Sequence, residues 1–394
     1  MVVTGYSVAP RLWHFATRVT GVDVSWRNIR GIRANKPTII AIGGNSIDGA
    51  EVPTARNILN VFRRARNEGR GLVITHGNGP QVGQKLDAAE AAEEQLSIAE
   101  ATRETQAEIG TTLKANLLKQ DPTIGEDNIV IIETRVIVAD DDPAFNQLTK
   151  YIGKEYSLEY MTGKGATQQS DGLWAWTDAE SGQTWLMKEA SSNPGYYQRV
   201  VASPKPLAIQ EDDLAAIRAA MADGKIVIAV GGGGIPILED ESAPQEESVI
   251  DKDLASALLC RELEAKEFII STGVSHVTHR YGMRPKWLQR KIHYYQAAHA
   301  EKNLWKEEYI LTKNDRNKII LKKKPRYTSG NIREKIEAMT NALRFGVNKV
   351  LITNPEADWE KDEGTIGTRG WDILNRFQQW ALNYPTELRR YFVI

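Results

Sequence analysis

The chain has 394 residues, 41% of them hydrophobic and 26% charged, with a formal net charge of −1. That length supports a core of one or two lobes, and the near-neutral balance excludes the broad basic surface of a general nucleic-acid binder. A single cysteine, Cys260, excludes an internal disulfide and a cysteine-rich zinc site, and no apolar run approaches the roughly 20 residues of a membrane-spanning helix.

Residues 1–36 differ in composition from the remainder of the chain. They carry Arg11, Arg18, Arg27, Arg30, Arg33 and Lys36 against one acid, Asp23. Such a basic, acid-poor segment fits an organelle transit peptide, and equally a surface arm. The expected location is the cytoplasm, or an organelle matrix if the segment is a targeting signal.

From Pro37 short β-branched runs alternate with longer amphipathic stretches. Strands are expected at 38–42 and 71–75, each ending in a glycine turn, with a helix at 54–67 between them. Further strands are expected at 129–133, 225–230, 267–271 and 349–353, and helices at 254–263 and 332–345. Strand–helix alternation with glycine turns after the strands indicates an α/β fold, a mostly parallel sheet covered on both faces. Cys260 lies in the apolar run of the 254–263 helix, where a buried structural thiol is expected. Two stretches break the rhythm. Residues 151–200 are polar and aromatic, with Trp174, Trp176 and Trp185, and are expected to form a small lid subdomain. Residues 301–326 are strongly charged, with Lys322, Lys323 and Lys324, and read as a solvated hairpin or loop, or else an anion contact.

Three of the glycine turns directly follow strands: Gly43-Gly44-Asn45, Gly77-Asn78-Gly79-Pro80 and Gly231-Gly232-Gly233-Gly234. Glycine lets backbone N–H groups approach an anion closely, and in an open α/β sheet such turns gather at the carboxyl edge, where ligands bind. None is a Walker A loop, because no glycine precedes Lys-Ser or Lys-Thr. The Gly231 run is followed by extended chain rather than a helix, which disfavours a dinucleotide fold. Asp251-Lys252-Asp253 stands just before an apolar helix. Either an aspartate caps that helix beside a solvated lysine, or Lys252 meets phosphate oxygens with Asp251 or Asp253 orienting it. Lys335 opens the 332–345 helix. The histidines lack carboxylate or cysteine company at ligand spacing, so no resident metal site is expected.

In order, these segments resemble the carbamate kinases of the amino-acid-kinase superfamily over residues 38–370. The resemblance rests on Ala41-Ile42-Gly43-Gly44-Asn45-Ser46, on Thr75-His76-Gly77-Asn78-Gly79-Pro80-Gln81-Val82-Gly83 and on Asp142-Pro143-Ala144-Phe145 with Thr149-Lys150. It continues through Arg199-Val200-Val201-Ala202-Ser203-Pro204-Lys205-Pro206, the Gly231 run, Val249-Ile250-Asp251-Lys252-Asp253-Leu254-Ala255 and the closing turn at 364–369. The resemblance implies a three-layer α/β/α sandwich, a homodimer, a small-molecule substrate and the Mg²⁺-dependent reaction ATP + carbamate ⇌ ADP + carbamoyl phosphate, within arginine metabolism. It implies that Lys252 and Lys335 hold the phosphoryl group in flight, that Asp251 orients a lysine, and that Lys150 reaches in from the lid. Gly43, Gly44, Asn45, Gly77, Asn78 and Gly79 would line the substrate side. Gly231, Gly232, Gly233, Thr272, Gly273 and Tyr281 would lie near the nucleotide.

Three places depart from the family pattern. The lid exit carries Ser192-Asn193-Pro194-Gly195 in place of an arginine-bearing Gly-Arg-Gly. Gly330-Asn331-Ile332-Arg333-Glu334-Lys335 stands for the usual Gly-Ser-Met-Gly-Pro-Lys. A Met-Ser-Gln-Gly run is replaced around Glu104 to Gly110. These changes touch acceptor contacts, so the sequence also admits a kinase of a different small carboxylate or carbamate, or a non-catalytic nucleotide-binding regulatory subunit.

Overall fold

The computed structural model describes residues 36–368 except 48, 93, 178–181, 183, 191–192, 240–246, 280–286, 290, 294–306, 314–318 and 326–331. The basic segment up to residue 35 and Tyr281 lie outside the described residues, as does Arg369 of the closing turn.

Eight strands make the main sheet: β1 (Thr38–Ile42), β2 (Leu72–His76), β3 (Ile129–Ile132), β4 (Ile226–Ala229), β5 (Glu267–Ser271), β6 (Lys291–His293), β7 (Lys349–Thr353) and β8 (Thr365–Thr368). Their spatial order is β6-β8-β7-β5-β1-β2-β4-β3. The run from β7 to β3 is all parallel, whereas β8 lies antiparallel to β7 and pairs in parallel with β6. The helices are α1 (Glu51–Asn67), α2 (Gly79–Ala91), α3 (Ile98–Gln120), α4 (Leu158–Gly163), α5 (Glu211–Ala222), α6 (Lys252–Glu262) and α7 (Ile332–Phe345).

Side chains alternate across a strand, so each uninterrupted apolar run feeds two cores. Ile39, Ala41, Phe268, Ile270, Val350 and Ile352 pack under α5, α6 and α7. Ile40, Ile42, Leu72, Ile74, Ile269 and Leu351 pack under α1 and α3. Two helical layers on a largely parallel sheet give the α/β/α sandwich expected from the sequence. Cys260 is buried in the first of these cores. Helix starts follow capping chemistry: Ser97 accepts from the Glu100 N–H at the start of α3, and Gln210 accepts from Asp212 and Asp213 at the start of α5. At the amino end of the strands, buried Glu267 gathers Arg64 at 2.8 Å and Lys349 at 2.7 Å.

Four smaller sheets are appended among the described residues, one of them the antiparallel pair of Val277–His279 with Trp287–Gln289. Arg135–Val138 pairs antiparallel with Pro206–Ile209 and parallel with Ile235–Leu238. Glu307–Lys313 and Ile319–Pro325 form an antiparallel ribbon that carries the three successive lysines. A five-stranded antiparallel sheet orders Lys150–Ser157, Tyr196–Val201, Thr184–Glu189, Trp174–Thr177 and Thr167–Gln168.

That last sheet sits on α2 through a third core in which Ile152, Trp176, Trp185 and Met187 meet Val82, Leu86 and Ile98. Two features weld it there. Gly83 of α2 touches the strand backbone, since a Cβ at this position would lie 2.3 Å from the Gly153 Cα. Arg199, with no solvent exposure, donates to Asp87 at 2.7 Å and also to Glu90, both on α2. Its guanidinium lies 4.6 Å from the Trp185 ring centroid. A planar, delocalised cation suits such a stacked and doubly ion-paired position better than lysine would.

Candidate functional site

Parallel strands end together, so the turns after β1, β2, β4 and β5 share one edge of the sheet. Backbone hydrogen bonds lace them sideways. Gly43 donates to the Ser271 carbonyl and Gly77 to the Ile42 carbonyl, each at 2.9 Å, and Thr272 donates to the Thr353 carbonyl at 2.8 Å. A Cβ at Gly43 would lie 3.0 Å from the Ser271 oxygen, whereas Gly44 and Gly79 face open space.

Helix α6 delivers the charged groups to this edge. Asp251 caps it, its Oδ1 accepting from the Asp253 and Leu254 N–H groups at 2.9 and 3.2 Å. The other Asp251 oxygen takes Lys150, from the start of the five-stranded sheet, at 2.8 Å. One turn position on, Asp253 is bridged by two cations: Lys252 at 2.5 Å on Oδ1 and Lys335, from the first turn of α7, at 2.9 Å on Oδ2. The Lys252 stem runs along the glycine turn after β2, since a Cβ on Gly77 would lie 3.2 Å from its Cδ. Below it Ser256 donates to the Lys252 carbonyl at 2.6 Å and shares a 2.7 Å hydrogen bond with Thr75.

Burial alone would raise both aspartate pKa values, but the lysines outweigh it and hold the two carboxyls below the usual range, Asp253 most strongly. For Lys252 the balance goes the other way: burial pushes its ammonium down, and Lys335 adds to the push against the pull of Asp253. Burial also works against the Lys150 ammonium, yet Asp251 carries it upward. Three lysines and two aspartates in such a space form a concentrated cationic patch whose geometry is fixed before any ligand arrives.

The Gly231 run packs beneath the turn after β2. Its backbone is left-handed at Gly232, Gly233 and Gly234, a conformation glycine adopts without strain. A Cβ on Gly232 would lie 2.1 Å from the Asn78 amide nitrogen, and one on Gly231 would lie 2.6 Å from His76 Nε2. Asn78 in turn donates to Thr105 at 2.9 Å. The three glycine turns are therefore mutually packed as well as adjacent.

The sequence-predicted lysines and Asp251 thus come together with Gly77. Gly43 stands beside Ser271 and Thr272, and Gly231, Gly232 and Gly233 lie against His76, Asn78 and Ile250. Thr272 is half-buried and Gly273 exposed. Of Asn45 only the backbone is described, in a 3-10 turn from Gly44 to Ser46.

Residues 36–354 match the family model of the amino acid kinase family. The chain is 32% identical over 345 residues to the carbamate kinase of Halobacterium salinarum, covering 84% of this chain and 97% of that one. It is a carbamate kinase-like member of the amino acid kinase family. A carbamate kinase of Pyrococcus furiosus is 31% identical over 357 residues, covering 85% and 98% of the two chains. A carbamate kinase-like protein of Escherichia coli is 30% identical over 351 residues, covering 84% and 97%. Among solved structures, the carbamate kinase of Giardia lamblia bound to AMP-PNP shares the fold, with a TM-score of 0.63 at 22% identity over 86% of this chain and 100% of that one. Membership implies ATP-dependent phosphoryl transfer.

Within this carbamate kinase-like chain, several neighbours of the site are not evident from sequence patterns. Asp253, rather than Asp251, is the counter-charge of both Lys252 and Lys335. Glu334 places a third carboxyl in the field of Asp251, Lys150 and Lys335. His76 is buried, and that burial, with Lys252 adding to it, lowers its pKa to about 4. The imidazole is thus neutral in the folded chain and protonated in the unfolded one below its ordinary value. Stability should fall as pH drops from about 6.5 towards 4, by about 3 kcal/mol in total from this group. Urea melts at pH 7 and 4.5 of the wild type and His76→Gln check this; an equal pH slope in both would contradict it.

Proposed function

We propose that the chain catalyses ATP + carbamate ⇌ ADP + carbamoyl phosphate. The observation that carries this reading is the convergence of Lys150, Lys252 and Lys335 on Asp251 and Asp253 at the glycine-rich sheet edge. Carbamate brings its own anionic oxygen nucleophile, so the protein has to align two anions and neutralise charge, with no proton to abstract. His76, its pKa lowered to about 4 by burial, would be only a weak general base, in keeping with a reaction that needs none.

On this reading Lys252 and Lys335 leave Asp253 in part to grip the oxygens of the phosphoryl group in transfer, and Asp253 keeps both side chains aimed. Gly43 and Gly77, whose own N–H groups are taken by the Ser271 and Ile42 carbonyls, line the site, while Gly44, Asn45, Asn78 and Gly79 present backbone N–H groups to the acceptor and the phosphoryl oxygens. Lys150 screens the acceptor from the five-stranded sheet, acting as a lid, while Asp251 fixes its direction. The turn at Gly231, Gly232 and Gly233, with Thr272 and Gly273, takes the nucleotide side.

Both aspartates spend their oxygens on lysines and N–H groups, and among the described residues no three potential ligands gather for a metal. That donor set suits Mg²⁺ arriving with the nucleotide, where it would neutralise phosphate charge, rather than a resident ion. A homodimer, checked by sedimentation, completes the reading.

Release of ADP on adding carbamate to protein and MgATP, and ATP formation from ADP and carbamoyl phosphate, test it. A chain that turns over another small acid but not carbamate would select the second reading, which the Arg333-Glu334 departure favours. Nucleotide binding without turnover of any acid would select a regulatory role.

A further inference from the structure

Lys150 reaches Asp251 from the five-stranded sheet, which is separate from the main one. Its place over the site is set by what holds that sheet on α2. The apolar side chains between them supply adhesion, but apolar contact has no direction and permits sliding. The ion pairs are directional. Arg199 gives one guanidinium nitrogen to Asp87 and another to Glu90, which share one face of α2. Asp87 also accepts from the Tyr156 hydroxyl at 3.2 Å, so one carboxylate holds two neighbouring strands. A buried cation between carboxylates adds little stability over apolar packing of the same volume; register is what such a group supplies best.

That register leads directly to the site. Arg199 pairs with Ile152, and Lys150 pairs with Val201 on the same two strands, a separation of about 7 Å along the strand. Just past Ile152 the chain turns left-handed at Gly153, which lies against both Gly83 of α2 and the Arg199 guanidinium. Helix α2 itself starts at Gly79, inside the glycine turn whose Gly77 packs beside the Lys252 stem. One helix thus carries the acceptor-side turn at its start and the sheet bearing Lys150 further along.

We propose that Arg199 is a positioning residue for the transfer step: it fixes the five-stranded sheet in register on α2, so that Lys150 stands on Asp251 and over the acceptor. The inference rests on the phosphotransfer reading above for the acceptor, and on geometry alone for the lysine. Arg199 is fully buried and acts through Lys150 rather than on substrate.

Two variants disturb the register by unrelated means. Arg199→Lys keeps the charge but loses the fork to two carboxylates and the flat stack on Trp185. Gly83→Ala leaves every ion in place and drives a methyl group into the Gly153 backbone. The position of Lys150 is read directly from its rate of acetylation by trace acetic anhydride, followed by mass spectrometry on the full chain without nucleotide. Freed from Asp251, Lys150 should label several-fold faster in both variants, while Lys252 and Lys335 keep their rates. In ATP formation from ADP, kcat/KM for carbamoyl phosphate should fall by about 10²-fold, with the ADP Kd by calorimetry unchanged. Unchanged Lys150 labelling in both variants, or unchanged turnover with Lys150 freed, overturns the inference and leaves the phosphotransfer reading standing. Faster labelling of all three lysines together, or ADP affinity lost in step with turnover, also overturns it, since Arg199 would then be a general structural residue. A wild type without turnover on carbamoyl phosphate overturns the phosphotransfer reading instead, and the labelling then decides the link between Arg199 and Lys150 by itself.

Discussion

Lys252→Ala should fold normally and lose turnover by roughly 10²–10³-fold in kcat, the usual cost of removing one preorganised group that stabilises transition-state charge. The lysine's stem lies against Gly77 and its ammonium on Asp253, so its loss removes charge from the centre of the site without disturbing the sheet. The effect should fall on kcat more than on the KM for ATP, because the cation is needed most when charge develops. Lys252→Arg should not rescue, since the planar guanidinium does not fit the space that Gly77 leaves for a methylene stem. Full turnover in Lys252→Ala, measured by coupled ADP release, would sink the proposed mechanism.

Asp253→Ala should have the larger combined effect, on stability as well as turnover. This carboxylate is buried and is the only group seen to hold both Lys252 and Lys335 among the described residues. Removing it leaves two ammonium groups facing each other in a desolvated space, which costs about 3–5 kcal/mol when a buried pair is broken from one side. Its pKa is held down in the folded state, against the tendency of burial to raise it. The pair's stabilising contribution is therefore full above the ordinary carboxylate range and is lost only as pH falls through the lowered folded value. Denaturant melts at pH 7 should show the loss; a variant with wild-type midpoint would mean that the two lysines find other partners.

Much of the frame was legible because long apolar β-branched runs leave few options. The strands at Thr38–Ile42, Glu267–Ser271 and Lys349–Thr353 and the helix Ile332–Phe345 match the ranges read from the sequence. The second strand, expected at 71–75, is shifted by one residue to Leu72–His76, its last side chain sealed against the Gly231 turn. The glycine turns and the lysines stood out by composition, and parallel strands bring such turns to one edge. Pairing was not legible. Lysine reach depends on how α6 meets α7 and how the five-stranded sheet sits on α2, so nothing local says that Asp253 rather than Asp251 holds two lysines. Arg199 read as one residue of a motif, and only its partners on α2 give it a purpose. Glu334 resembled any acid at a helix start, where the dipole favours it.

The three lysines also set a timetable for the newly made chain. Lys150 and Asp251 are separated by 101 positions, and Asp253 and Lys335 by 82. Translation proceeds at about 5–20 residues per second, so a chain still on the ribosome holds the first two lysines for seconds before the third emerges. Until then Asp253 has only half of its counter-charge, and α6 lacks the helix it packs against. The earlier half of the sandwich is free to collapse first, but the site closes only when α7 docks. On the proposed reading of Lys335, catalytic competence marks the last stage of assembly, because its ion pair with Asp253 forms only when α7 arrives.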